Sequence, residues 1–385
     1  MIPARTGHRF EPMSPATISD LGSARRLVIK VGSSLLVDNG MARTSWLGSL
    51  ARDIAALRTK GMQIVVVSSG AIALGAARLK LARGGRGNLA DAQAAASVGQ
   101  IALALHWSQA LVAQGLVAAQ MLLTLEDLED RRRYLNASAT VERLLEAGAV
   151  PVVNENDSVA TEEIRFGDND RLAARVAQAA GAEAVLLLSD VDGLYDCPPG
   201  DSGATLVPRV EGVSDAVMAM ASSASSSALG SGGMTSKLQA ARIAERAGIA
   251  LAIVNGTHEE PITRALASGL GTLFVPQRGA NARQKWLGGR LSPSGVLTVD
   301  SGCAAALESG ASLLAAGVTE VSGEFKRGDL VTIVSAKGDR IAQGLCEYSA
   351  DDCRAIMGLR MQAQGERLGY APRAAVIHRD HLVRL

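Results

Sequence analysis

Six short, almost uninterrupted runs of Val, Ile, Leu and Ala punctuate the first two thirds of this chain: RLVIKV (26–31), QIVVVSS (63–69), GLVAAQML (115–122), AVPVVN (149–154), AVLLLSD (184–190) and IALAIVN (249–255). Each is too short for a buried helix and lacks the apolar–polar alternation of a strand with one wet face, so each reads as a strand covered on both sides. Between them lie longer segments of helical period, such as 90–113 and 133–146, the latter with Leu135, Val141, Leu144 and Leu145 at core-facing spacing. Repeated strand–helix units predict an α/β fold, a three-layer sandwich with a mainly parallel sheet, over residues 25–278.

The texture changes after Pro276. QRGANARQKWLGGRLSPSG (277–295) is polar and Gly-rich, and the short strand-like runs LVTIVS (330–335) and AAVIH (374–378) follow. We expect a linker at 279–294, a small β-rich domain at 295–375 and a tail at 376–385. HRDH (378–381) imitates part of a protein-kinase catalytic loop, but no Asn follows at the required spacing, so it reads as a surface segment. Residues 1–24 mix Pro, Gly, Ser and both charge signs and read as a disordered extension, and the Ser/Gly-rich stretch 221–233 as a mobile loop.

Composition excludes several functions. The net charge of +1 supplies no field to draw in nucleic acid or an anionic membrane. No window approaches eighteen apolar residues, and the N-terminus has no signal-peptide core. The four cysteines, Cys197, Cys303, Cys346 and Cys353, show no C-x-x-C spacing, which argues against zinc or a disulfide framework and for a reducing, cytoplasmic setting.

The chemistry gathers where strands end. Ligands of open parallel sheets bind outside the carboxyl ends of the strands. Lys30 and the turn Gly32-Ser33-Ser34 end the first run, and Ser68, Ser69 and Gly70 end the second. The fourth run enters Asn154, Glu155, Asn156 and Asp157, followed by Gly167, Asp168, Asn169 and Asp170 at a helix start, where one Asp or Asn serves as a cap. Amides and carboxylates in that density suit a small zwitterion. Ser189 and Asp190 end the fifth run. The stretch GSGGMTSK (230–237) opens a further helix; it is not a Walker loop, since no Gly-Lys pair occurs in the chain, but its glycine amides and Lys237 suit phosphate.

In this order, VIKVGSSLL, VVVSSGAIALG, VVNENDSVA, FGDNDRLAA, LLLSDVDGLY and GSGGMTSKLQAA closely resemble the glutamate 5-kinases of the amino acid kinase family, and the residues from Leu297 to Val334 resemble the PUA domain appended to many bacterial members. The resemblance implies ATP- and Mg²⁺-dependent phosphorylation of the side-chain carboxylate of L-glutamate, the first step of proline biosynthesis, with proline as inhibitor, glutamyl phosphate reductase as pathway partner and a homo-oligomeric state. It assigns Lys30 and Lys237 to the transferring phosphoryl group and Asp170 to their orientation. Ser69, Asp157 and Asn169 take glutamate. Ser189, Asp190 and the run Ser231, Gly232, Gly233, Met234, Thr235, Ser236 and Lys237 take the nucleotide, and the Mg²⁺ ligands stay open. Ser68 stands where relatives often carry Thr, which keeps the hydroxyl. Acetylglutamate, aspartate or carbamate kinases are alternatives within the same fold, disfavoured by the NENDSVA and GDND motifs. RNA binding through the PUA-like domain is a second class of function, against which stand the balanced charge and the lack of a basic or aromatic stripe.

Overall fold

The computed structural model describes residues 13–159, 169–223, 233–276 and 293–385. The chain divides into two compact units after residue 278, the short segment 130–135 being grouped with the second.

In the first unit the apolar runs become strands at nearly the positions their sequence dictates: β1 (Arg26–Val31), β4 (Gln63–Ser68), β5 (Ala118–Leu123), β6 (Val150–Glu155), β7 (Ala184–Ser189) and β9 (Ala250–Asn255). A small hairpin, β2 (Val37–Asp38) with β3 (Met41–Ala42), sits outside the main sheet, and β8 (Arg209–Glu211) and β10 (Thr272–Val275) complete it. The eight strands lie in the order β5-β6-β4-β1-β7-β9-β10-β8, and every pairing is parallel except β9 with β10. Strand β5 starts later than its apolar run because Gly115, at φ +73°, turns the chain out of the preceding helix while Leu116 N–H bonds back to Leu111 O.

Side chains alternate across the sheet and bury both faces of its interior strands; β5, at the edge, has no buried residue, which corrects the expectation that its run is covered on both sides. Leu27, Ile29, Ile64, Val66, Leu186 and Leu188 join a core with helices Thr44–Thr59, Leu89–Val112 and Pro261–Ser268. Helices Asn169–Ala179 and Met234–Arg246 pack together and against strands of the same sheet. The sheet is therefore the middle layer of three, as the sequence predicts.

Helices Ala71–Leu79 and Leu89–Val112 meet backbone to backbone. A Cβ on Gly75 would fall 1.8 Å from Ala95 O, and one on Gly99 would fall 1.7 Å from Ala71 O, so no side chain fits at the crossing.

Two expectations are corrected. The predicted disordered extension is ordered from residue 13: Ile18–Ser23 form a 3₁₀ helix, started by a Thr17–Asp20 capping box, with Ile18 and Leu21 buried against helix Pro261–Ser268. Arg209 Nη1 also donates to Pro15 O and Ala16 O beside those two buried side chains; residues 1–12 lie outside the described residues, as do 224–232 of the Ser/Gly stretch and 279–292 of the linker. The predicted tail 376–385 is likewise part of a fold. The second unit is a five-stranded sheet, β11 (Gly295–Val299), β12 (Val318–Gly323), β13 (Leu330–Ser335), β14 (Arg340–Leu345) and β15 (Leu382–Arg384), in the order β12-β11-β13-β14-β15. Strand β15 pairs with β14, Val376 and Ile377 are buried in the core, and His381 of HRDH is buried rather than on the surface. The AAVIH run makes only an isolated bridge between Leu313 and Ile377.

Candidate active site

The carboxyl ends of β1, β4, β6 and β7 surround a cleft of about 510 Å³. Lys30 is the fifth residue of β1, and alternation turns it away from the core that holds Ile29 and Val31. Asp170, the second residue of its helix, is fully buried, and its carboxylate lies 2.5 Å from Lys30 Nζ and 3.2 Å from Lys237 Nζ. Lys237 stands in the first turn of helix Met234–Arg246, behind Gly233 at the N-cap. Burial alone would push the Asp170 carboxyl up; the two ammonium groups outweigh it and hold the carboxyl below its ordinary range. The cluster therefore carries a net charge of +1 in a buried setting, which suits an anion.

The other half of the cleft is built on amides. Asn169 Nδ2 donates to Ser69 Oγ at 2.8 Å and to Asn154 Oδ1 at 3.3 Å, and Asn154 Nδ2 donates to Gln100 Oε1 at 2.8 Å. Among the described residues, Asn169 Oδ1 and Asp157 Oδ1 are buried without a hydrogen-bond partner. Burial pushes the Asp157 carboxyl up to about 6, although Arg86 pulls the other way. Two orphaned acceptors in a cleft ask for a donor with several hydrogens, as an ammonium is. Gly70, at φ +113°, swings the chain from β4 into helix Ala71–Leu79, whose first-turn residues Ala71, Ile72 and Ala73 line the cleft. A Cβ on Gly70 would also press on Val37 Cγ2 at 3.2 Å.

The cleft brings together Lys30, Asp170, Lys237, Ser69, Asp157, Asn169, Ser189, Asp190, Gly233 and Met234. Thr235 and Ser236 do not line it; they fill the first turn of their helix, where Ser236 N–H bonds to Gly233 O. Ser231 and Gly232 lie outside the described residues, as does Asp168. Asn169 is not a cap: it is the first helical residue, and its amide is spent on Ser69 and Asn154. Ser68, one of the two hydroxyls that end the second run at the ligand edge of the sheet, is turned inward, where its Oγ accepts from Trp107 Nε1 at 2.8 Å. Sequence reasoning passed over Asp38, Arg86, Tyr195 and Pro199, all of which line the cleft. No group of three or more His, Cys, Asp or Glu side chains placed to hold a metal occurs among the described residues.

Known proteins match this sequence closely. Residues 25–255 fit the amino acid kinase family and residues 295–363 the PUA domain. A protein of Novosphingobium aromaticivorans named Glutamate 5-kinase is 60% identical over 371 residues, spanning 96% of this chain and 98% of its own. Proteins of the same name from Sphingopyxis alaskensis and Zymomonas mobilis are 59% and 56% identical, each over 94% of this chain and over 98% and 91% of their own.

Proposed function

The chain belongs to the amino acid kinase family, and from that premise we propose that it is a glutamate 5-kinase, which transfers the γ-phosphoryl group of ATP to the side-chain carboxylate of L-glutamate. The observation that carries this reading is the division of one cleft into a buried Lys30–Asp170–Lys237 cluster and a pocket of unsatisfied acceptors at Asp157 and Asn169.

In the reaction a carboxylate oxygen forms a bond to the γ-phosphorus while the bond from that phosphorus to the β,γ-bridging oxygen breaks, the electron pair leaving with ADP. The nucleophile is ionised at neutral pH, so no general base is needed. The obstacle is the approach of one anion to another. Lys30 and Lys237 offset the charge that spreads over the phosphoryl oxygens, and Asp170 fixes both ammonium groups so that little reorganisation accompanies the step. Helix first-turn amides at Ala71–Ala73 and behind Gly233 add donors that a helix cannot satisfy internally.

Ser69, Asp157 and Asn169 bind glutamate; Ser189, Asp190, Gly233, Met234 and Lys237 face the nucleotide. No group of three His, Cys, Asp or Glu side chains is placed for a metal among the described residues, and Mg²⁺ arriving with ATP would supply further charge neutralisation beside Lys30 and Lys237. Free proline carries the same α-carboxylate and ammonium as glutamate and competes for the same pocket. The kinase domain ends near residue 278, and residues from 295 onward form a separate domain whose absence leaves the chemistry in place.

A hydroxamate assay for acyl phosphate, run with a panel of amino acids, tests the reading. L-Glutamate should give the signal, dependent on ATP and Mg²⁺. Preference for aspartate or N-acetylglutamate would overturn the substrate assignment.

A further inference from the structure

We propose that Arg86 is a specificity-determining residue of this site, gripping the α-carboxylate of glutamate beside the ammonium held at Asp157; the proposal rests on the reading of the cleft as a glutamate site. Arg86 lines the cleft together with Asp157, Asn154, Asn169 and Ser69. Its guanidinium makes no hydrogen bond and no ion pair among the described residues. The side chain is exposed, so a structural role is already weak.

The backbone nevertheless holds this position with care. Arg83, Gly84 and Gly85 all take left-handed conformations, with φ of 51°, 62° and 75°, and the chain then turns at Asn88, whose side chain caps helix Leu89–Val112 by accepting from Asp91 N–H at 2.8 Å. Gly85 is buried in the angle between the two helices that cross at Gly75 and Gly99: a Cβ on it would come within 2.9 Å of Ala76 Cβ and 3.1 Å of Ala95 Cβ. The residue directly after that wedge is Arg86. A loop pinned so firmly delivers its next side chain to a fixed place at the cleft.

The chemistry of the substrate explains why a cation belongs there. An α-amino acid carries its ammonium and carboxylate on one carbon, so its receptor must offer an anion and a cation side by side. Asp157 is the anion, and among the described residues Arg86 is the cation that acts on its ionisation. Lys30 and Lys237 cannot serve, because both are committed to Asp170. A guanidinium also matches a carboxylate with two parallel N–H donors, which fixes the orientation of the substrate as well as its charge.

The test uses the full chain with saturating MgATP and compares L-glutamate with L-isoglutamine, in which the α-carboxylate is an amide and the side-chain carboxylate is intact. Arg86→Gln should raise the KM for glutamate by about 10–100-fold, the range expected for losing a hydrogen bond to a charged group, with kcat little changed. It should also erase most of the preference for glutamate over isoglutamine, and Arg86→Lys should restore part of both. The ATP KM should stay at the wild-type value, which separates a lost carboxylate contact from a damaged fold. A glutamate KM within twofold of wild type in Arg86→Gln, or an unchanged preference over isoglutamine, overturns the role of Arg86 while leaving the kinase reading intact. Wild-type protein that fails to phosphorylate glutamate overturns both.

Discussion

The two halves of the cleft solve opposite problems. On one side Lys30, Asp170 and Lys237 satisfy one another, and the pairing holds the Asp170 carboxyl ionised. On the other side Asp157 and Asn169 each keep a buried oxygen without a partner among the described residues, and burial pushes the Asp157 carboxyl up to about 6. The first half is complete before any ligand arrives, as a group that must meet a transition state should be. The second half keeps two acceptors open among the described residues, and the ammonium of the proposed substrate would complete it. On that reading catalytic charge is preorganised, and recognition charge is left in deficit.

The largest expected effect follows from removing charge on the finished side. Lys237→Met and Lys30→Met should each lower kcat by about 10²–10³, or roughly 2.7–4 kcal/mol, by analogy with loss of one preorganised donor. The double variant should lose less than the product of the two, because both lysines act on one phosphoryl group. Steady-state kinetics on variants with cooperative melting would check this, and near-normal turnover in either single variant would return that lysine to an ordinary structural role. The glutamate KM should barely move.

On the unfinished side the pattern reverses. Asp157→Asn should raise the glutamate KM by about 10–100-fold with a smaller change in kcat. The same change should raise the melting temperature of the unliganded protein at pH 7.5. The sign follows from the carboxyl being harder to ionise folded than unfolded: the folded state carries a penalty that is absent below about pH 4, where both states are protonated, grows as pH rises, and is fully present above about 6. A lower melting temperature for Asp157→Asn would mean that the carboxylate is already satisfied.

A third test reads the same group through pH. On the proposed reading the substrate ammonium pairs with ionised Asp157, so kcat/KM for glutamate should fall about tenfold per unit below pH of about 6. Asp157→Asn should remove that limb while leaving the ATP KM flat. The smallest effect is expected from the second unit. Deleting residues from Ser294 onward should leave a folded kinase with kcat within a few-fold of the full chain; a truncated chain that never melts cooperatively would place the boundary elsewhere.

What the sequence made legible was local. Short apolar runs between helical segments form strands, so the sheet was readable, though not that β5 would lie at its edge with no residue buried, and so were the polar turns that end its strands, because a strand end and its turn are neighbours in the chain. Pairings made across long stretches of chain were not. Ser68 looked like a ligand residue because nothing near it announces that Trp107, thirty-nine positions on, takes its hydroxyl. Arg86 was hidden among Arg and Gly residues that read as an ordinary surface loop, and only the wedge at Gly85 shows why it is held at the cleft. The segment Ile18–Ser23 escaped for a related reason: Ile18 and Leu21 are too few to make a periodic signal, yet they find a prepared partner in helix Pro261–Ser268.

The contact at Gly75 and Gly99 makes the two helices behave as one strut. Where helices meet through side chains, rotamer changes absorb small displacements; where main chain lies on main chain, there is nothing to absorb them. Helix Leu89–Val112 is about 36 Å long, with the Arg86 loop at one end, and along its outer side it leaves Ile101, Leu105 and Val112 open to solvent, 72%, 52% and 62% exposed. Ala71 O lies at the crossing itself, so the first-turn amides that line the cleft share one rigid joint with the helix whose outer side carries those exposed side chains.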